Sequence, residues 1–155
     1  MATDLFFSKI SIPEENIHRM NGELDPEKAA ELYEEVLRSF FGEKPQFDFN
    51  LLGLGTNGHT ASLFPHTEVL KEKKRWVVGY YVDEVKMSRL TLTAPAINES
   101  QFILFLVSGK EKAGVVDEVI NGARDPERLP AQLIQPESGR VTWLLDKPAA
   151  LALEK

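Results

Sequence analysis

The chain is 155 residues long, with 43% hydrophobic and 27% charged positions, a balance expected of one soluble globular domain over residues 1–155 and not of disordered or fibrous chains. Eighteen Lys and Arg against 24 Asp and Glu leave a formal net charge of −6, the wrong sign for a phosphate-backbone binder, so nucleic acid is not expected as a partner. There is no Cys, which excludes disulfides, thiolate metal sites and a thiol nucleophile. The longest apolar run, Phe102 to Val107, is far shorter than the roughly 20 residues of a membrane span. A cytoplasmic protein without a membrane partner is expected.

In chain order, Asp25-Pro26 is an N-cap followed by a proline at the first helical position. Ala29, Ala30, Leu32, Tyr33, Val36, Leu37 and Phe40 then form a stripe of helical period that Gly42 closes. Glu34-Glu35 and Lys71 to Arg75 read as solvated faces. Phe47 to Leu52, Trp76 to Val82, Leu90 to Thr93, Phe102 to Val107 and Val141 to Leu145 are rich in aromatic and β-branched residues and are predicted as strands, with Trp76 and Trp143 in the core. Phe102 to Val107 lacks alternation, the pattern of a central strand covered on both faces. A helix over Lys110 to Asn121 follows it, with Ser108 and Glu111 as a capping box and Gly122 as its end. The alternation of strands and helices predicts a three-layer α/β domain with a Rossmann-like, mainly parallel sheet.

The densest chemical signal runs from Leu51 to Pro65, where a strand leads into Gly53, Gly55 and Gly58 and then His59. Strand ends of this kind are where open α/β sheets bind ligands. Two readings stay open. The three glycines satisfy the GxGxxG spacing of a dinucleotide site, with Asp83 or Glu84 at the end of the next strand, although Pro65 would interrupt the helix that such a site requires. Alternatively, the glycines let backbone N–H groups approach an anion while His59 moves a proton near neutrality. Lys110 and Lys112 sit in the first turn of the predicted second helix, where an anion would be favourable, and Arg89 could add an oxyanion contact. His18 and His66 have no acidic or histidine neighbour at ligand spacing, and no metal is expected.

The segments Ile12–Met20, Asp25–Ala30, Gly53–Pro65, Arg89–Thr93, Gly109–Ala113 and Leu129–Gln132, in this order, resemble the blocks of the 6-phosphogluconolactonase family, part of a wider group that includes the glucosamine-6-phosphate deaminases. The resemblance implies hydrolysis of a small phosphorylated sugar lactone, 6-phospho-D-glucono-1,5-lactone, to 6-phosphogluconate in the oxidative pentose phosphate pathway, with no cofactor. It implies His59 as the catalytic base with Asn57 beside it, and backbone N–H groups of the glycine loop, at Gly53, Gly55 and Gly58, around the oxyanion. Lys112 is implied to hold the 6-phosphate, and Arg89 to line the substrate pocket.

Two departures from the family pattern stand out. Many members carry Asp where this chain has Asn57, which predicts a less basic His59. The chain also resembles only the later two thirds of the family domain, so an N-terminally truncated fold is expected, with Met1 matching an internal methionine. A truncation would bare a sheet edge or face and favour a homodimer. The nearest rival activity, the deaminase, resembles a pattern with Glu five residues after the histidine, where this chain has Phe64. A different class of rival is a non-catalytic module that binds a sugar phosphate or a partner and turns nothing over.

Overall fold

The computed structural model describes residues 2–153, so the reading of Met1 lies outside the described residues. The elements run α1 (Ala2–Leu5), α2 (Pro26–Phe41), β1 (Phe49–Leu52), β2 (Val77–Val82), β3 (Met87–Leu92), α3 (Ala94–Asn98), β4 (Phe102–Val107), α4 (Ala113–Asn121), β5 (Arg140–Leu145) and α5 (Lys147–Ala150), with short 3-10 turns between them. Strands β1, β4 and β5 form a parallel sheet in the order β1-β4-β5, while β2 and β3 pair with each other as a separate antiparallel hairpin. The expected α/β class with a parallel, Rossmann-like sheet is present, and β4 is its central strand.

Helix α2 begins as its sequence predicts: the Asp25 carboxylate accepts the backbone N–H groups of Glu27 and Lys28 at 3.1 and 3.2 Å, and the helix ends at Gly42 with φ 80°. Its apolar stripe packs Ala30 and Leu37 against Trp76, Val77 and Ala96. The approach is close, since a Cβ on Gly79 of β2 would lie 1.8 Å from the Pro26 carbonyl oxygen.

Glu34 corrects an expectation. Glu35 is exposed, but Glu34 is buried on the stripe side, where its Oε2 accepts from Arg75 Nε and from the backbone N–H groups of Trp76 and Val77 at 2.9–3.1 Å. Its Oε1 accepts from Arg38 Nε and Nη2, and that guanidinium lies 4.2 Å above the Trp76 ring. Burial pushes the Glu34 pKa up, but these hydrogen bonds outweigh it and hold the carboxyl below the usual carboxylate range.

The segment after β4 also differs from expectation. Lys110–Lys112 is a 3-10 turn and the α-helix proper starts at Ala113. Neither part takes a side-chain cap from Ser108, because Gly109 intervenes at φ 103° and donates its N–H to the Asp146 carboxylate at 3.1–3.2 Å. Thr93 is not the end of a strand but the N-cap of α3, accepting from Ala96 N–H.

The parallel register aligns Leu52 with Phe105, and Phe105 with Trp143. Together with Ile103 and Val107 these side chains face the main core, which Leu63, Ile97, Val116, Leu129 and Ala149 complete from loops and helices. Trp143 stacks on Phe105 with ring centroids 4.0 Å apart, and Trp76 is buried. Alternation turns Phe49, Leu51, Leu106 and Leu144 to the opposite face, where each is half or more exposed. Among the described residues, therefore, the sheet carries a flanking layer on one side, and β4 is covered on one face rather than two. No helix among the described residues is long and apolar enough to cross a membrane.

Candidate active site

Strand β1 delivers the chain at Leu52 into a loop over 53–64 that contains turns and no helix. A dinucleotide site needs a helix opening from the glycines, so that reading is overturned. The loop instead folds back on itself. Gly58 N–H donates to the Gly55 carbonyl at 3.0 Å and Gly55 N–H donates to the His59 carbonyl at 2.8 Å. These two amides are engaged within the loop, which corrects the expectation that Gly55 and Gly58 would present them to an oxyanion. Their contribution is space. A Cβ on Gly55 would lie 2.0 Å from His59 Nδ1, and one on Gly58, where φ is 82°, would lie 2.7 Å from Leu129 Cδ2. Nothing lies within 4 Å of the equivalent point on Gly53, whose carbonyl accepts from Thr60 Oγ1 at 2.8 Å.

The loop is held from several sides. Ala131 N–H donates to the Gly58 carbonyl at 2.9 Å, which seats the Leu129–Gln132 segment beneath it. Ser62 N–H donates to Thr91 Oγ1 on β3 and the Ser62 carbonyl accepts from Tyr80 Oη on β2, at 3.1 and 2.7 Å. The hairpin and the 129–132 segment thus clamp the residues that flank His59.

The His59 imidazole is half-buried, laid over Gly55 and stacked on Phe64 with ring centroids 4.3 Å apart and planes 17° from parallel. Its Nδ1 lies 2.6 Å from Asn57 Oδ1, which also accepts the His59 backbone N–H at 3.2 Å. Asn57 Nδ2 in turn donates to both carboxylate oxygens of Glu84, at 2.7 and 2.9 Å. Glu84 stands in the Asp83–Val85 turn that joins β2 to β3. Burial pushes the His59 pKa below its ordinary value. The Glu84 charge opposes that shift, while the charges of Lys112 and Arg89 reinforce it.

The electrostatics show what the chain brings together: two cations from distant segments, Arg89 of β3 and Lys112 at the foot of α4, both act on His59. Lys110 is exposed, whereas Lys112 and Arg89 are half-buried. Arg89 Nε is a buried donor with no partner among the described residues, a group that an anionic ligand would satisfy. A cavity of about 300 Å³ adjoins it, lined in part by Ser62, Ser88 and Arg89; neither His59 nor Lys112 lines it. His18 lends its backbone carbonyl to Tyr33 Oη, and His66 is exposed, 3.9 Å from Glu127. Among the described residues no group of three His, Asp or Glu is placed to hold a metal.

Chemically, the arrangement offers a neutral imidazole at near-neutral pH, one ring nitrogen fixed by an amide oxygen and a field of two cations around it. Sequence reasoning missed Glu84 in this setting, having weighed it only as the acidic end of a dinucleotide motif. Phe64 was read as the absence of a carboxylate, not as a platform for the ring.

The family model for glucosamine-6-phosphate isomerases/6-phosphogluconolactonase matches residues 1–143. Over 154 residues the chain is 43% identical to the 6-phosphogluconolactonase of Synechocystis sp., covering 96% of this chain and 63% of that protein. It is 39% identical over 150 residues to the human 6-phosphogluconolactonase, covering 94% and 57%. The solved structure of 6-phosphogluconolactonase from Trypanosoma brucei superposes with a TM-score of 0.83 at 28% identity, covering 98% of this chain and 66% of that one. The chain thus spans under two thirds of the length of each of these relatives. On the match across nearly its whole length, the chain belongs to the glucosamine-6-phosphate isomerase/6-phosphogluconolactonase family.

Proposed function

We propose that the chain carries the site for hydrolysis of 6-phospho-D-glucono-1,5-lactone to 6-phospho-D-gluconate, a carboxylic ester hydrolysis of the oxidative pentose phosphate pathway. The observation that carries this reading is a half-buried His59, held below its ordinary pKa, with Lys112 and Arg89 in its field and an aromatic ring, not a carboxylate, against its face. In this reading His59 takes a proton from water as the water oxygen bonds to the lactone carbonyl carbon. The tetrahedral intermediate then collapses, the ring C–O bond breaks, and the leaving alkoxide takes the proton back from the imidazolium. Lys112 and Arg89 hold the phosphate or the developing oxyanion. The relatives bearing the name 6-phosphogluconolactonase support the substrate class.

The deaminase reading is disfavoured because Phe64 stacks flat on His59, occupying the place where a second proton-transfer group would stand. The testing experiment is hydrolysis of freshly generated lactone by the purified chain, set against the spontaneous rate and a His59→Ala variant. Turnover lost in that variant is the expected result, by roughly 10²- to 10⁴-fold. A folded protein that binds the phosphosugar and gives only background hydrolysis would establish the non-catalytic module instead.

The same reading includes a cytoplasmic, single-domain protein and self-association of two copies. Parallel sheets are covered on both faces, and Phe49, Leu51, Leu106 and Leu144 present an exposed apolar patch, with Arg140 at the start of β5 on the same face, on which a second copy can sit.

A further inference from the structure

Glu84 carries the inference that goes beyond this reading. Its carboxylate only accepts hydrogen bonds, and both of its oxygens lie within 2.9 Å of Asn57 Nδ2, so the Asn57 amide must present its NH₂ to Glu84 and its oxygen to the other side. On that other side Oδ1 receives the His59 backbone N–H and lies 2.6 Å from His59 Nδ1. Turning the amide over would set oxygen against carboxylate and NH₂ against a backbone N–H, two repulsive contacts in place of two hydrogen bonds. An amide oxygen cannot donate, so the proton of this short contact sits on Nδ1 and the lone pair of the ring is left on Nε2.

We propose that Glu84 is a positioning residue: acting through Asn57, it selects the Nδ1–H tautomer of His59, frees Nε2 to act as the base, and supplies the negative charge that supports the imidazolium when the proton arrives. The use of Nε2 as a base rests on the function proposed above; the tautomer does not. The charges that act on the ring come from three elements. Glu84 on the hairpin turn favours the imidazolium, and Arg89 on β3 and Lys112 at the start of α4 oppose it. A carboxylate set one amide away from the ring gives the charge at reduced strength while leaving an uncharged group in direct contact.

The test is a pH titration of the His59 ring by ¹⁵N and ¹H NMR in the substrate-free protein, comparing wild type with Glu84→Ala, Glu84→Gln and the exchange variant Asn57→Asp/Glu84→Gln. Glu84 is exposed on a turn, and thermal melting confirms that each variant folds. Wild type is expected as Nδ1–H. Glu84→Ala should shift the ring toward Nε2–H and lower its titration midpoint. Glu84→Gln, which can still accept from Asn57, should lower the midpoint and largely keep the tautomer. The exchange variant places the charge directly on the ring and should keep Nδ1–H with a midpoint above wild type. In the lactone assay, Glu84→Ala should lose roughly tenfold in kcat, part of what a general base contributes, with KM nearly unchanged. An unaltered tautomer and midpoint in Glu84→Ala would overturn the proposal. Because the spectra need no turnover, a protein that hydrolyses no lactone yet shows these shifts would sink the function and leave the positioning role standing.

Discussion

An alanine at position 55 would place its methyl carbon 2.0 Å from His59 Nδ1 and 2.2 Å from Cε1, far inside van der Waals contact, so the ring would have to leave. Gly55→Ala is expected to bring lactone hydrolysis down to within about tenfold of the His59→Ala level while the melting temperature stays near wild type, since Gly55 lies outside the buried core. A variant with full activity would show that the ring does not work from this position. The pH dependence of the same residue follows from its surroundings. Burial first, with the two cations adding to it, holds His59 below the ordinary imidazole value of about 6.5. The base should therefore stay available through neutrality, and kcat/KM should decline only on the acid side of that value. Stability follows the same sign. The folded protein binds this proton less readily than the unfolded chain, so acidification through the window below the ordinary value costs stability as well as activity. Lys112→Met, which removes one of the opposing charges, should move the inflection upward; an inflection that stays put would dissociate Lys112 from the ring.

At the scale of elements, one carboxylate joins α2 to the hairpin. Glu34 takes five donors from Arg38, Arg75 and the start of β2, and the hairpin in turn holds Ser62 through Tyr80 and Thr91. Replacing Glu34 by Gln leaves an amide group where only acceptors are wanted, and is expected to cost about 2–4 kcal/mol in urea unfolding. Because Glu34 is held below its ordinary pKa in the fold, its contribution is present above the unfolded carboxyl value and is lost as pH falls through the lower folded one. The Glu34→Gln penalty should accordingly shrink in acid. Glu34 also shows how far the sequence could be read. Positions 30, 34 and 37 share one helical face, so periodicity already placed Glu34 with Ala30 and Leu37; it was charge that led to a solvated assignment. Although Arg38 stands one turn on, the Arg75 guanidinium and the amides of Trp76 and Val77 that complete its partners come from 41–43 residues away. The same limit explains Ser108. The capping pattern was present, but Gly109 at φ 103° stands between Ser108 and the turn, and its N–H is taken by Asp146, which follows β5 and which no local pattern around Ser108 announces.

For the whole molecule, α2, the five strands and their order of apolar runs were legible because each follows from local period and turn residues. The partition of those strands into a parallel sheet and a separate hairpin was not, since pairing is decided by contacts across the chain. Of the site, His59, its glycines, Lys112 and Arg89 stand in readable motifs, whereas Glu84 meets Asn57 only through the fold. The bare sheet face belongs to this scale too. Phe49 and Phe102 stack on adjacent strands, 5.6 Å apart, and Leu51, Leu106 and Leu144 continue the patch. Sedimentation should show the chain as a dimer at micromolar concentration, and Leu106→Lys or Leu144→Lys should shift it to monomer without altering the far-ultraviolet spectrum. A wild-type monomer at high concentration would end the self-association reading.

Asn57 is followed by glycine, and Asn-Gly is the dipeptide in which the following backbone nitrogen most readily attacks the side-chain amide, expelling ammonia and closing a cyclic imide that water then opens to aspartate or its β-linked isomer. Here that nitrogen is occupied, donating to the Gly55 carbonyl at 3.0 Å, and the Asn57 amide is held by Glu84 and His59, so the folded loop shields its own weakest bond. Any excursion that opens the loop removes the shield. A stored sample would then accumulate chains with two carboxylates facing each other beside His59, and an ageing preparation would become a mixture of chemically distinct proteins, separable by charge and differing in their response to pH.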